Sequence, residues 1–436
     1  RQADTSRLRS YTLLAKLKMN KRMNYFIKNI HINELFHLKN FDIPIADEQT
    51  PHLMITGKNG SGKTVLLNAI ADFLERIKYD QSLNTLTYRD RLNYYKNKLN
   101  EAKKDTKEFM SFKSSVEHYQ NLVNGLYGKI ELDFVNLPAL INDYHDDSFI
   151  IAFYGAARKP QMIELKNPTK PEYNLKGNIK ETVTNQFLNF LADLKIQEAL
   201  ARNENQMEDA EEINLWFIDF ENLLRFIFQD KDLKLKFNYK NYSFQILSEG
   251  KDFNFMTLSD GYAAILDIVV DLILKMQTKD SLTRAYQKKG IVLIDEVETH
   301  LHLELQKMIM PFLTKVFPNI QFIITTHSPF VLNSLDNAVA FDLEHREIIN
   351  ELTQYSYEAL AEGYFGVSSE SSYMQMQLER LESLLQKNDL TDSDKYDIRQ
   401  LVEDLNKVPE SVSPNLVGAY MTIKNRYASV LKTVLA

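Results

Sequence analysis

Apolar and polar positions alternate from Tyr25 to Ile45, which is the period of half-buried antiparallel strands. The alternation breaks around Asn33-Glu34 and around Lys39-Asn40. Further along, short and mostly apolar runs predict buried strands at residues 53–56, 149–158, 291–294, 321–326 and 338–341, and an alternating stretch at 233–246 adds more strands. The pattern thus predicts a mixed sheet with antiparallel strands at its N-terminal end.

Apolar positions three or four residues apart predict helices in other parts of the chain. They mark residues 78–127, most of 185–228, a helix from about His302 to Phe317, and a region of helices after Phe341. Strands and helices are interleaved, so we predict an α/β protein with an inserted helical arm, a helical lobe and a C-terminal helical region.

Composition excludes several classes of protein. The 436 residues are 44% hydrophobic and 25% charged, which is ordinary for globular domains and allows two or three structural units. The absence of cysteine excludes disulfides, thiol catalysis and cysteine-based zinc sites. No apolar run reaches the roughly 18 residues of a membrane span, so we expect no membrane partner. Because the net charge is −7, any contact with nucleic acid requires a local basic face.

The first 18 residues carry five Arg or Lys residues against one acid, Asp4, and no Met. One interpretation takes Met19 or Met23 as the natural start, so that the preceding residues are an upstream extension. The other interpretation is a basic arm for nucleic acid.

A glycine-rich loop follows the apolar run at 53–56 and opens into a helical pattern at Val65–Ile70. Strand, loop and helix in this order are the context of the phosphate-binding P-loop, G-x-x-x-x-G-K-[ST]. Glycine lets the backbone wrap an anion, and the amides of the loop and of the helix N-terminus point at the phosphates. The predicted nucleotide-binding residues are Gly57, Asn59, Gly60, Ser61, Gly62, Lys63 and Thr64. We expect Lys63 to reach the β- and γ-phosphates and Thr64 to ligate Mg²⁺; the alternative is a surface turn that ends in Lys-Thr by chance.

Asp295 and Glu296 follow the apolar run at 291–294. In P-loop NTPases the strand beside the P-loop ends in an acid that holds Mg²⁺, which predicts Asp295 as a metal ligand. A Glu directly after it can orient and deprotonate the attacking water, so Glu296 is the predicted general base. The alternative is a solvated turn at the end of a strand. His327 closes the next strand and is predicted to hydrogen-bond the γ-phosphate, with a capping or core residue as the alternative.

Other polar clusters have simpler explanations. His300 and His302 lack a third metal ligand nearby, so we place them in the loop after Glu296. Asp392-Ser393-Asp394 has the spacing of a nuclease site but precedes a helical pattern, and helix capping explains it better. Residues 89–113 contain eight basic and four acidic residues; a solvated helix surface explains this arm better than a face for nucleic acid.

These motifs, in this order, resemble the ABC-type ATPases of the branch that contains SMC, RecF, the OLD nucleases and many phage-defence ATPases. The resemblance covers residues 23–345 and includes the N-terminal strands, the P-loop, the inserted arm, Leu258-Ser259-Asp260-Gly261-Tyr262, Asp295-Glu296 with Leu301-His302, and Thr326-His327-Ser328-Pro329. It implies the fold of an ABC-type ATPase head with a P-loop core, and it implies ATP with Mg²⁺ as cofactors.

In such proteins the Leu-Ser-x-Gly signature caps the γ-phosphate of ATP that is bound to the opposite subunit. The resemblance therefore implies that Ser259 and Gly261 act in trans, in a homodimer or higher homo-oligomer with ATP between the subunits. An N-capping Ser is the alternative. The chain departs from the usual Leu-Ser-Gly-Gly-Gln by carrying Asp260 and Tyr262, and the extra carboxylate near a phosphate leaves the rate of hydrolysis open.

The resemblance also places Arg158, with Gln161 after it, where the family has its Gln-loop and an Arg that senses nucleotide. Leu303 stands where relatives often have Pro. The size of the chain, the short arm and the tail at 356–367 look closest to the Septu PtuA and retron-associated ATPases. An OLD nuclease would continue into a TOPRIM domain, which the helical pattern after Phe341 does not supply.

The resemblance implies a cytoplasmic ATPase whose ATP-bound dimer controls a separate effector, a nuclease or toxin, in prokaryotic anti-phage defence. DNA or a retron RNA–DNA is an expected further partner. The alternatives are a RecF/SMC-like DNA-binding clamp in repair and a scaffold in which ATP holds the dimer without turnover.

Seven segments are expected along the chain. They are a basic extension (1–22), an ATPase lobe with the P-loop (23–77), the helical arm (78–127), a continuation of the ATPase lobe with the Gln-loop-like segment (128–184), a lobe of helices and strands (185–257), a lobe with the signature, the acids and His327 (258–349), and the C-terminal helical region (350–436).

Overall fold

The computed structural model describes residues 26–45, 52–158, 160–165, 167–169, 177–248, 250–277, 288–349, 357, 360, 372–387, 389–408 and 414–435. The chain forms two compact units, residues 1–355 and residues 356–436. The predicted basic extension at 1–22 and most of the tail at 356–367 lie outside the described residues.

Six strands form the central sheet of the first unit. They are β3 (His52–Thr56), β5 (Phe149–Tyr154), β9 (Lys289–Ile294), β10 (Ile320–Thr325), β11 (Ala338–Asp342) and β12 (Glu347–Ile349). Their order is β12-β11-β3-β10-β9-β5, and all neighbours pair in parallel except β11 with β12. β3, β5 and β10 are buried at every position. Parallel strands buried on both faces are continuous apolar runs in sequence, and this is why the pattern located them.

The register of this sheet brings the carboxyl ends of four strands together. Ile324 on β10 pairs with Ile294 on β9 and with Met54 on β3, and Tyr154 on β5 also pairs with Ile294. The residues that follow these strands therefore meet at one edge of the sheet. In open parallel α/β sheets this edge is where ligands bind.

A three-stranded antiparallel sheet precedes the P-loop, with β1 (Ile27–Leu35) between β2 (Leu38–Pro44) and β4 (Ile130–Phe134). The two breaks in the alternation lie within strands: Asn33-Glu34 is inside β1 and Lys39-Asn40 is inside β2, and the chain turns at residues 36–37. Glu34 and Lys39 pair across the hairpin and form a salt bridge. The polar residues therefore mark a cross-strand charge pair rather than a turn.

One buried side chain joins the two sheets. Gln321 on β10 is buried; its Oε1 accepts from the Ile27 amide at 2.9 Å and its Nε2 donates to the Ile27 carbonyl at 3.0 Å. Both ends of the side-chain amide are thus satisfied, as a buried amide requires. The antiparallel sheet is fixed in this way to the strand that leads to His327.

Nine α-helices lie in the described part of the first unit, with a short 3-10 helix at Thr184–Gln186. They are α1 (Lys63–Ile77), α2 (Asn84–Glu101), α3 (Lys107–Tyr127), α4 (Leu137–His145), α5 (Phe187–Asn203), α6 (Met207–Phe228), α7 (Asp260–Lys275), α8 (Leu303–Val316) and α9 (Pro329–Leu332). α2 and α3 form the arm, where Tyr95 stacks on Tyr119 with ring centroids 5.4 Å apart.

The lobe that follows the arm combines α5 and α6 with a small antiparallel sheet of β6 (Lys234–Asn238), β7 (Ser243–Ser248) and β8 (Lys251–Phe253). Trp216 is buried on α6, where it stacks on Phe220 and contacts Phe190 edge to face. This aromatic cluster packs α5 against α6.

The second unit consists, in its described residues, of helices α10 (Ser372–Leu385), α11 (Asp392–Asn406), α12 (Pro414–Arg426) and α13 (Ala428–Leu435). They share an apolar core that includes Leu381, Ile398 and Leu431. Thr391 and Asp394 form a reciprocal capping box at the start of α11. The structure thus agrees with helix capping as the explanation of Asp392-Ser393-Asp394.

The architecture confirms the predicted α/β class, with antiparallel strands first, an inserted helical arm, a helical lobe and helices at the C-terminal end. Among the helices of the described residues, none has both the length and the apolar character that crossing a bilayer requires.

Candidate nucleotide site

Between β3 and α1 the chain runs through a loop, residues 57–62, that depends on three glycines. Gly57, Gly60 and Gly62 have φ angles of 134°, 85° and 101°, in a region that other residues enter only with strain. Asn59 and Gly60 are exposed, whereas Ser61 is buried. The loop therefore has the conformation that the P-loop prediction requires.

The ammonium group of Lys63 lies inside this loop. Its Nζ donates to the Gly57 carbonyl at 2.7 Å and to the Lys58 carbonyl at 3.0 Å. Burial lowers the pKa of Lys63, and the carboxylates of Glu296, Glu298 and Asp295 act in the opposite direction. A cationic donor held by loop carbonyls can exchange them for phosphate oxygens, which are stronger partners because they are charged.

Thr64, the second residue of α1, meets the carboxyl end of β9. Its Oγ1 donates to Asp295 Oδ1 at 3.2 Å, and Thr325 Oγ1 donates to the same oxygen at 2.7 Å. Asp295 is buried. A hydroxyl and a carboxylate that share one space are the hard oxygen ligands that Mg²⁺ prefers, so these residues fit the predicted metal site.

Glu296 has a positive φ of 45°, which is uncommon for a residue with a side chain. Its amide donates to Thr325 Oγ1 at 2.7 Å, and its Oε2 accepts from Thr299 Oγ1 at 3.2 Å. Strained backbone persists only where neighbouring contacts fix it, and it is frequent at active sites. The turn that contains residues 295–298, the acidic turn, is therefore built as a fixed element.

His327 follows β10 and is partly buried. Burial lowers the pKa of His327, the positive charge of Lys63 lowers it further, and Glu296 and Asp295 oppose these effects. The imidazole is therefore near both Lys63 and the acidic turn. Lys63, Thr64, Asp295, Glu296 and His327 are thus brought together at the carboxyl edge of the sheet.

Two residues at this edge were missed by the sequence analysis. Glu298 accepts from the His327 amide and, at 2.8 Å, from Thr326 Oγ1. Thr325 bonds both predicted acids, as described above. The signal for Glu298 was in the sequence, since it is the third acid within four residues after β9, but nothing in the pattern shows that it faces the next strand.

Arg158 binds the backbone of the acidic turn. Its guanidinium is buried and donates to the carbonyls of Gly155 (3.0 Å), Asp295 (2.7 Å), Glu296 (2.9 Å) and Val297 (3.2 Å). Arginine has several donors in a rigid plane, and here they bind the backbone of the acidic turn. These contacts fix the backbone of the acidic turn, and the role of Arg158 as a nucleotide sensor stays a prediction.

The signature residues lie at the start of α7. Ser259 is the N-cap, yet its side chain makes no capping hydrogen bond, and Ser259 and Asp260 are exposed. A Cβ at Gly261 would lie 2.8 Å from the carbonyl oxygen of His300, so glycine is required for the contact between α7 and the loop after the acidic turn. The ring of Tyr262 packs on Phe228, with centroids 4.4 Å apart.

His300 and His302 lie between the acidic turn and α8, as expected. Within the described residues, no group of three or more His, Asp or Glu residues has the arrangement of a metal site. The ring of His302 contacts Tyr262 edge to face instead.

Comparison with known proteins gives relatives for this arrangement. Residues 142–333 match a family described as "AAA domain, putative AbiEii toxin, Type IV TA system". The match includes the signature, the acidic turn and His327, and it begins after the P-loop.

The Septu protein PtuA of Bacillus mycoides is 26% identical over 400 residues, which are 88% of this chain and 50% of PtuA. The retron Vc95 probable ATPase of Vibrio cholerae is 39% identical over 23% of this chain and 17% of that protein. The retron Ec83 probable ATPase of Escherichia coli is 41% identical over 18% of this chain and 14% of that protein. The chain thus spans about half the length, or less, of these relatives.

Two solved structures of SMC heads were also found. The head domain from Thermotoga maritima is 13% identical with a TM-score of 0.32, over 72% of this chain and 94% of that one. The SMC head bound to the C-winged helix domain of ScpA is 10% identical with a TM-score of 0.36, over 74% of this chain and 97% of that one.

The motifs, their geometry and the sequence relatives fit an ABC-type P-loop ATPase. In sequence the chain is similar to the Septu and retron-associated ATPases.

Proposed function

We propose that the chain hydrolyses ATP in a dimer and that the ATP-bound dimer controls a separate effector, a nuclease or toxin, in a prokaryotic anti-phage defence system. The observation that carries the enzymatic part is the meeting of Lys63, Thr64, Asp295 and Glu296 at one edge of the sheet. The relationship to Septu and retron ATPases supports the biological part.

Each residue at the edge has a chemical role in this proposal. The loop amides and Lys63 would bind the phosphates, and Thr64 and Asp295 would hold Mg²⁺, which would supply positive charge against the phosphate oxygens. Glu296 orients the attacking water and accepts its proton. His327 hydrogen-bonds the γ-phosphate through an imidazole that its lowered pKa keeps neutral. Arg158 supports Glu296 by binding the backbone of the acidic turn.

The second subunit contributes the start of α7. The exposed hydroxyl of Ser259 has no capping hydrogen bond to compete for it, and the N-terminus of α7 favours negative charge. In the dimer these groups bind the γ-phosphate held by the P-loop of the other copy. ATP then contacts both subunits only in the closed dimer, and this differential binding shifts the population toward that state.

Phosphate release from the wild type and from Glu296→Gln tests the enzymatic part. A general base contributes about 10²- to 10⁴-fold, so the rate should fall by that factor while ATP binding remains. Glu304→Gln is the matched control, since Glu304 is exposed at the start of α8 and should leave the rate unchanged. Equal rates for the wild type and Glu296→Gln would remove the base assignment.

The effector is tested by pulling down Glu296→Gln, held with Mg-ATP, from cells that carry the native gene neighbourhood. A stoichiometric nuclease or toxin-like protein, or a reverse transcriptase with its RNA–DNA, would support the defence complex. Recovery of DNA and repair proteins alone would overturn it in favour of a DNA clamp.

The clamp is a second candidate because of the arm. Lys103, Lys104 and Lys107 are exposed where α2 and α3 meet, whereas Arg89 is already paired with Glu131. A clamp requires binding to DNA that weakens with salt and is lost in Lys103→Glu/Lys104→Glu. Binding that survives this double charge reversal would exclude the arm as the DNA contact.

A further inference from the structure

Glu298 connects two residues that the proposed function uses. It lies two residues after Glu296 in the acidic turn, and its carboxylate reaches the end of β10. One oxygen accepts from the backbone amide of His327, and the other accepts from Thr326 Oγ1 at 2.8 Å. A single side chain thus links the turn of the predicted base to the segment of the predicted γ-phosphate contact.

The contacts around Glu298 show that the two segments are held at several points. Thr325 Oγ1 bonds Asp295 and the Glu296 amide, and the Val297 amide donates to the Thr325 carbonyl at 3.2 Å. Those contacts reach only Thr325. Glu298 is the side chain of the acidic turn whose described hydrogen bonds extend to His327 itself.

Keeping a carboxylate here is costly. Burial raises the pKa of Glu298, although the hydrogen bonds from His327 and Thr326 partly offset that effect. The positive charge of Arg158 is close enough to interact with it. A partly buried acid is retained in a fold when its two acceptor oxygens meet donors, and both oxygens of Glu298 do so.

We propose that Glu298 is a positioning residue for ATP hydrolysis: it fixes the His327 backbone relative to Glu296, so that imidazole and base face the same phosphate. This inference rests on the proposed function. Glu298 touches neither ATP nor water in this account and acts through His327.

An amide cannot replace this carboxylate. Glutamine has one acceptor oxygen, so its amide nitrogen would have to face either the His327 amide or the Thr326 hydroxyl. Thr326 Oγ1 already accepts from the Ser328 amide at 3.0 Å. In Glu298→Gln at least one of the two contacts therefore becomes donor against donor or leaves the hydroxyl proton unpaired, while the size of the side chain is unchanged.

The test is a double-mutant cycle on steady-state ATP hydrolysis with wild type, Glu298→Gln, His327→Ala and the double variant. Glu298→Gln alone should lower kcat about tenfold with little change in KM, the result expected for a contact used in the transition state. In the His327→Ala background the same change should lower kcat less than about twofold, because residues that act through one another are non-additive.

A purely structural role gives a different result. It would lower the melting temperature, and it would lower kcat by the same factor in the wild-type and His327→Ala backgrounds. Additive losses of kcat in the cycle would therefore overturn the inference. Thr326→Val and Thr326→Ser provide a second measurement if Glu298→Gln does not fold. The serine variant keeps the hydroxyl and should retain activity, whereas the valine variant should lose kcat; equal kcat values for the two would count against the proposal.

The two proposals fail differently. If wild type and Glu296→Gln hydrolyse ATP at the same rate, the proposed function fails first. If wild type is active, Glu296→Gln is inactive and the cycle is additive, only the role of Glu298 fails. Glu304→Gln serves again as the control, because it removes a carboxylate from the neighbouring α8 without touching this edge.

Discussion

The two parts of the proposed nucleotide site are built in opposite ways. At the carboxyl edge of the sheet, Lys63 and Asp295 are buried, and hydrogen bonds within the chain hold both. At the start of α7, Ser259 and Asp260 are exposed, and the hydroxyl of Ser259 makes no capping bond. The first part is assembled by the fold, and the second is presented on the surface.

This difference follows from the cost of burying polar groups. A buried charge without partners is expensive, so the P-loop part has to satisfy its own groups before any ligand arrives. An exposed helix N-terminus pays no such cost, because water satisfies its amides until an anion replaces the water. The contrast agrees with the proposal that the second part acts on another subunit.

Lys63→Ala should have the largest effect, because it removes the cation from the buried part. We expect kcat/KM for ATP to fall by about 10³-fold, since charged hydrogen bonds are worth roughly 1.5–3 kcal/mol each and Lys63 is proposed to contact two phosphates. Titration with a fluorescent ATP analogue should show that binding is weakened. Lys58→Ala is the control. The side chain of Lys58 is largely exposed, and its ion pair with Glu344 is long, at 3.9 Å. Equal losses in both variants would contradict the special role of Lys63.

Ser259→Arg should impair the exposed part of the site and leave the buried part intact. ATP binding to the monomer should be unchanged, whereas ATP-dependent dimerisation and hydrolysis should fall by about 10²-fold, the usual effect of removing one donor to transition-state charge. Light scattering with and without ATP measures the dimer.

Mixing Ser259→Arg with Lys63→Ala sharpens this comparison. A head-to-head dimer of the two variants contains one site with an intact P-loop and an intact signature, so part of the activity should return. If the mixture is as inactive as either variant, the signature does not act in trans.

The stability of the parallel sheet should also depend on pH. His52 on β3 is buried, its Nδ1 accepts from the Phe322 amide at 3.1 Å, and burial lowers the pKa of His52 from 6.5 to about 4. Below pH 6.5 the unfolded chain binds the proton more readily than the folded chain, so stability is lost as the pH falls toward 4. Between pH 7 and pH 5 the free energy of unfolding should decrease by about 2 kcal/mol through this group.

Urea unfolding of the wild type and of His52→Asn at both pH values measures this contribution. The asparagine keeps an acceptor for the Phe322 amide but does not titrate. Between pH 7 and pH 5 the free energy of unfolding should therefore change less in His52→Asn than in the wild type, by about 2 kcal/mol. Equal changes in the two proteins would refute the prediction.

Thr325→Val should lower activity less than Lys63→Ala or Ser259→Arg does. It leaves the shape of the buried side chain but removes the hydroxyl that bonds Asp295 Oδ1 and the Glu296 amide, both at 2.7 Å. We expect a loss of stability of about 1–3 kcal/mol for the unpaired amide and a kcat lower by about tenfold. Thr325→Ser, which keeps the hydroxyl, should be close to wild type in both measurements. A valine variant as active as the serine variant would show that the hydroxyl is dispensable.

Local sequence was informative where all the residues of a functional element lie in one short segment. The P-loop is continuous in sequence, and its glycines are needed for backbone angles that the loop adopts wherever it occurs. Asp295 and Glu296 were recognisable because a continuous apolar strand ends directly before them. The hairpin was the opposite case: Glu34 and Lys39 resembled a break in each strand because their pairing partners are on the neighbouring strand, which the pattern of a single strand does not contain.

The sequence by itself therefore determined the strands of the parallel sheet, the phosphate loop and the candidate acids, because each depends on residues that are neighbours along the chain. Tertiary structure decided that Arg158 binds the backbone of the acidic turn, that Glu298 reaches His327 across two strands, and that Gln321 joins the two sheets. These contacts link residues between 29 and 294 positions apart. The register of the parallel strands, which is set by packing across the whole sheet, is what brings them within hydrogen-bonding distance.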